Sequence, residues 1–163
     1  MDSISTMADL GTVEYKVRKV IKTDDRQYLT IGQRKIPWSI GDRKILFTAT
    51  AYIKAGVPME GFSKEDIIVS ESGKKVSVRL PRAEVLSFSM PPEEIFTEFE
   101  KYGILRDRFS AAEQNEILQL GEKTLRDDIP SLGILQDAEK NASEFFRIML
   151  MKMGFSDIEI SFE

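Results

Sequence analysis

Catalysis needs a nucleophile, a proton carrier or a metal ligand, and this 163-residue chain offers few of them. It contains no cysteine and no histidine. Thiolate nucleophiles, disulfides, iron–sulfur clusters and cysteine zinc sites are therefore excluded. The commonest general base and the commonest transition-metal ligand are missing too. A serine or threonine nucleophile would have to borrow Lys, Asp or Glu as its base, a minority solution. What remains is the carboxylate pair, as glycosidases use it. The dense spots are Glu93-Glu94, Glu98 with Glu100, and Asp127-Asp128. The first follows Pro91-Pro92 and the last precedes Pro130, and all are expected to face solvent. Catalytic pairs also usually meet from distant segments, so a solvated surface explains these acids better.

Phosphate chemistry fares no better. The glycines are scattered and none builds a phosphate-cradling loop. Leu120-Gly121-Glu122-Lys123-Thr124 has a Gly and a Lys-Thr, but neither the upstream glycine nor a preceding strand. No Asp-x-Asp-x-Asp-Gly calcium loop occurs. No catalytic, cofactor-binding or metal-ligating residue is assigned, and no cofactor is expected.

Charge is the stronger signal. The net charge is −4, but from Glu14 to Lys54 there are ten Lys/Arg against four Asp/Glu, and from Pro91 onward eight against sixteen. A basic front and an acidic back form a charge dipole. Each half could simply be solvating its own surface. The functional reading is contact with an acidic protein, with the acidic half of another copy, or with an anionic membrane surface. The basic residues are interspersed without a compact run carrying stacking aromatics, so nucleic acid is not expected. Candidate interface residues are Lys16, Arg18, Arg34, Lys35 and Trp38. Trp38 is the single tryptophan. It is either a partly buried plug at a sheet edge or an anchor for a partner.

The elements that must carry these residues follow from periodicity. Residues 12–21 read as a strand with Val13, Tyr15, Val17 and Ile21 on one face, interrupted by Lys19. Thr23-Asp24-Asp25-Arg26 reads as a turn, and 27–32 and 35–38 as short strands, the latter limited by Pro37 to an edge or a strand end. Residues 45–54 form a long strand with Ile45, Phe47, Ala49, Ala51 and Ile53 on its dry side. Ser63–Asp66 is a capped helical turn. Residues 67–70 and 75–80 flank Gly73 as a hairpin, and 84–90 is extended again. No element is assigned between Pro92 and Ser110.

After that the period lengthens to that of a helix. Ser110-Ala-Ala-Glu113 is a capping box, and Ile117, Leu118, Leu120, Leu125 and Ile129 follow as its apolar stripe. A second helix begins between Ser131 and Ile134 and runs to about Met153, with Ala138, Ala142, Phe145, Phe146, Met149, Leu150 and Met153 on its apolar face and Gly154 as its stop. Residues 155–162 revert to a strand. The expected fold is α+β: a mainly antiparallel sheet or partly closed barrel from the N-terminal half, two C-terminal helices packed on it, and the final strand returning to the sheet. One domain is expected over 1–163, with a strand-rich lobe at 11–90 and a helical lobe at 91–154 that carries the terminal strand 156–162.

These segments in this order carry a resemblance. ILFTATAYIKAGV is followed by KEDIIV, then KKVSVRLPRAEVLSF, SAAEQNEIL and GILQDAEKNASEFFRIMLMKMGFSDIEISF. Together they resemble the bacterial family called domain of unknown function 4230, over roughly Asp9 to Phe162. The carrying features are Ala55-Gly56-Val57, Leu80-Pro81, Gly133-Ile134-Leu135, Ala138 with Asn141-Ala142, and Gly154-Phe155. The resemblance implies one N-terminal membrane-spanning segment ahead of the domain, and so a soluble part displayed outside the cytoplasm. It brings no activity and no site residues. The chain itself has no run of about 18 apolar residues, and MDSISTMADLG lacks the basic and apolar regions of a signal peptide. The expectation is therefore a piece cut after such an anchor, or else a cytoplasmic protein.

The reading is a binding or assembly module without catalytic activity, anchored to a membrane and held outside the cytoplasm. The alternatives are a carboxylate-dependent hydrolase, or a small-ligand carrier using a barrel cavity.

Overall fold

The computed structural model describes residues 9–25, 28–31, 34–37, 42–70, 73–103 and 107–163. The strands are β1 (Asp9–Asp25), β2 (Tyr28–Ile31), β3 (Arg34–Pro37), β4 (Arg43–Pro58), β5 (Ile67–Val69), β6 (Lys75–Leu80), β7 (Glu84–Ser89), β8 (Ile95–Tyr102) and β9 (Asp157–Phe162). The helices are α1 (Ala111–Asp128) and α2 (Ile134–Lys152). The architecture is α+β with open sheets and, among the described residues, no closed barrel. One sheet of four strands runs β1-β4-β7, with β8 also paired to β4. A two-stranded sheet joins β2 to β3, and a three-stranded sheet runs β5-β6-β9.

The chain forms two compact units. The first takes residues up to Tyr15, Tyr52–Phe88 and Ile129–Glu163; the second takes Lys16–Ala51 and Ser89–Asp128. In the second unit, the dry face of β4 works as its alternation demands. Ile45, Phe47 and Ala49 pack with Ile21, Phe109 and Ile117 into one buried cluster. The helix α1 contributes through three buried residues spaced four apart, Ile117, Gly121 and Leu125. Gly121 is the close-approach point: a Cβ there would stand 2.7 Å from Cγ1 of Ile21. Leu120 lies off that row and is exposed, so it leaves the apolar stripe expected of it.

In the first unit, α2 buries Ile134, Ala138, Ala142, Phe146 and Leu150, again one residue in every four. Gly11 of β1 lies against this helix, at φ +63°, and a Cβ on it would be 2.6 Å from the Ala142 nitrogen. Phe62 meets Phe146 edge-on with centroids 5.7 Å apart. Burying a side chain such as Phe146, which is 1% exposed, is worth about 2–3 kcal/mol. Of the apolar face expected for α2, Phe145 and Met153 are exposed.

The final strand returns to a sheet, in parallel register with β6: Val76 pairs with Ile158, Val78 with Ile160 and Leu80 with Phe162. The turn expected at Thr23–Arg26 is extended chain at least through Asp25. Residues 95–102, to which the sequence reading assigns no element, form β8, which pairs antiparallel with β4. Ile95, Phe96, Thr97, Phe99 and Tyr102 are strand-favouring types, and the spare acids among them obscure the alternation.

Candidate interaction face

The side of β4 opposite its core residues is the one open to function. Residues paired across an antiparallel ladder share a face. The register sets Leu46 beside Phe99, Thr48 beside Phe96 and Lys44 beside Lys101, with an irregularity between Leu46 and Phe47. That irregularity lets two faces of β8 stay in phase with β4 despite the extra residue. Thr48 and Thr50 form the floor and are 7% and 4% exposed, because β4 is the inner strand with neighbours on both sides. Phe96 and Phe99 rise from β8 and are half exposed.

On the other side of the floor stands β1. Its even-numbered residues from Lys16 to Asp24 are exposed while the alternate ones are half-buried or buried. Lys16 and Arg18 border a shallow depression together with Thr50, Glu94 and Phe96. Lys16 Nζ lies 3.7 Å from Glu94 Oε2, and Lys44 Nζ lies 3.3 Å from Asp24 Oδ2. Arg18, Lys22 and Lys101 form no ion pair among the described residues. The face is thus basic and carries two exposed phenyl rings beside unneutralised cations.

A second concavity lies in the first unit, on the outer side of the β5-β6-β9 sheet, lined by Asp66, Ser77, Arg79, Glu159 and Glu163 among others. Its charges are paired with one another. Lys75 Nζ donates to Glu159 Oε1 at 2.7 Å and Ser77 Oγ to Glu159 Oε2 at 3.0 Å. These bonds hold the Glu159 carboxyl below its ordinary acidity range and raise Lys75. Arg79 lies 3.5 Å from Glu163. Exposed, mutually paired charges of this kind contribute little attraction for a partner, so the basic face is the better candidate.

The carboxylates weighed for catalysis do not assemble into a shared site. Glu94 pairs with Lys16, and Asp128 accepts from Lys19 Nζ at 2.6 Å. Glu100 pairs across the ladder with Ile45, on the core side, and its Oε1 is buried without a hydrogen bond. Glu113 is pulled down to about 2, first by the Arg43 guanidinium and then by Ser110, the opposite of what a general acid needs. Among the described residues no group of three or more Asp or Glu is placed to hold a metal ion.

Of the five residues chosen from sequence, Lys16 and Arg18 meet on this face. Arg34 and Lys35 fall in β3, paired with Ile31 and Thr30 in the separate two-stranded sheet. Trp38 lies outside the described residues. Phe96, Phe99 and Lys101 were missed because β8 was missed. The signal for them was a run of aromatic and β-branched residues bounded by Pro92 and Gly103.

A family model described as protein of unknown function (DUF4230) matches residues 2–160. The chain belongs to the DUF4230 family. No curated protein and no solved structure matches it. No helix among the described residues of this DUF4230 chain is long and apolar enough to cross a membrane.

Proposed function

We propose that this domain is a binding or assembly module rather than a catalyst, held at a membrane outside the cytoplasm. Its basic, phenylalanine-bearing sheet face would take an acidic protein surface. The observation that carries the reading is the placement of Lys16 and Arg18, the latter without an ion pair among the described residues, beside half-exposed Phe96 and Thr50, with Thr48 paired to Phe96 across the ladder. Cations steer an acidic partner over distance, and exposed aromatic rings supply the apolar contact that holds it. The placement outside the cytoplasm rests on the anchor that the family resemblance implies. A second reading, an anionic lipid surface, is favoured by the same phenyl rings, since aromatic side chains next to Lys and Arg suit a headgroup boundary.

Binding to an acidic polypeptide and to phosphatidylserine vesicles, each compared at low and high salt, tests both. Screening shortens from about 10 Å at 0.1 M to about 3 Å at 1 M, so binding should weaken steeply. Lys16→Glu with Arg18→Glu should abolish it, and Phe96→Ser should weaken it without removing its salt dependence. Binding that ignores both salt and charge reversal would overturn the proposal. A preference for neutral single-stranded nucleic-acid analogues over both acidic probes would do the same.

A further inference from the structure

Helix α2 has two apolar sides. One is the buried row described above. The other carries Phe145, Ile148 and Met151, which are 44%, 57% and 60% exposed. Single exposed apolar residues are ordinary, but three that adjoin on one helix surface form a patch that marks an interaction site. Phe145 is also held in place: its ring meets that of core Phe146 at 87°, with centroids 6.1 Å apart. An anchor fixed before binding loses less entropy on docking.

The flanking charges indicate what covers this patch. Glu144 and Lys152 are both exposed, and neither makes an ion pair among the described residues. They stand four positions before and four positions after Ile148, on the same ridge of the helix. We infer that two copies of this chain dock antiparallel through α2, with the two-fold axis at Ile148. In that arrangement a residue four places before Ile148 faces the residue four places after it in the partner. Glu144 then meets the partner's Lys152, Lys152 meets the partner's Glu144, and Phe145 lies against the partner's Met151, a favourable sulfur–ring contact. A parallel pair would instead set Glu144 against the partner's Glu144. A lipid surface would have no use for opposite charges placed symmetrically about one isoleucine. This contact uses a different unit and a different element from the basic face, so charge reversal at Lys16 and Arg18 leaves it intact.

Sedimentation equilibrium of the whole chain over a wide concentration range provides the test. The expected result is a reversible monomer–dimer equilibrium. Glu144→Lys alone, or Lys152→Glu alone, sets like charges together twice and weakens the dimer by roughly tenfold or more. The double variant Glu144→Lys/Lys152→Glu restores it. Because the chain has no cysteine, Ile148→Cys supplies a single thiol at the axis, and mild oxidation should yield a covalent dimer. A chain that stays monomeric throughout, a dimer indifferent to the single swaps, or a double swap that fails to restore association would each overturn the inference. So would a monomer that binds neutral vesicles through Ile148, which would give the patch to lipid instead.

Discussion

Arg43 reaches across from β4 to the first turn of α1 and donates from Nη2 to Glu113 Oε1 at 2.8 Å, while its guanidinium lies 4.4 Å from the Phe109 ring centroid. The other Glu113 oxygen accepts from the Ser110 backbone nitrogen at 2.8 Å and from its hydroxyl at 2.9 Å. One carboxylate therefore caps the helix and ties it to the sheet.

Acid should loosen that tie. Glu113 is held at about 2 against an ordinary 4.5, with Arg43 the largest cause. A depressed carboxylate contributes stability above its unfolded value and loses it as pH falls through its folded value. The window is thus about 4.5 down to about 2. Thermal denaturation of the native chain and of Glu113→Gln should show the native chain more stable at neutral pH, with the gap closing across that window. A gap of constant size from neutral pH to pH 2 would refute it.

Gly11→Ala should be costly. The position combines φ +63° with backbone atoms of α2 inside the space a Cβ needs. Left-handed geometry costs about 1–2 kcal/mol and overpacking about 1–3 more, so a loss of about 3 kcal/mol is expected in urea unfolding. Gly73→Ala is the control. It has φ +68° but nothing within 4 Å, and should lose only the conformational part, about 1 kcal/mol.

Gly121→Ala pits two effects against each other. Removing a glycine from a helix interior gains about 1 kcal/mol, but the new methyl collides with three atoms of Ile21, which is itself locked in the core cluster. The collision should win, for a net loss of about 1–2 kcal/mol. In the Ile21→Ala background the same change should cost nothing or stabilise. Simple additivity of the two losses would show that the cost at Gly121 does not come from contact with Ile21.

Tyr15 offers an alkaline probe in the first unit. Its hydroxyl donates to Asp137 Oδ2 at 2.6 Å, and that bond is the first cause of its raised ionisation. A raised tyrosine contributes stability below its unfolded value near 10 that is lost as pH climbs through the folded value. Asp137→Asn should bring one tyrosine's phenolate absorbance in at lower pH. An unchanged titration curve would mean the bond does not persist in solution.

Much of the fold was legible in the chain because local chemistry specifies it. Period-two alternation at Ile45–Ile53 marked β4, the Ser110…Glu113 box marked the start of α1, and Gly73 marked the β5–β6 hairpin. β8 escaped because its alternation is broken where it bulges against β4. The exposures of Leu120, Phe145 and Met153 escaped because helical spacing says which residues are apolar, not which side meets a sheet. Of the interface residues, Lys16 and Arg18 were recognised by charge alone, while Phe96 and Phe99 needed the ladder that brings them opposite Thr48 and Leu46.

The amino-acid order alone determined most of the element types, the α+β class, the family, and the lack of thiol and imidazole chemistry. Those properties depend on residue type and near-neighbour spacing. Only the tertiary structure decided that cations of β1 and phenyl rings of β8 share one face across β4, and that α2 keeps an apolar stripe in water. Strand pairing joins residues far apart in the chain, and a helix chooses its buried side by what it packs against, so neither result is written in any local run of residues.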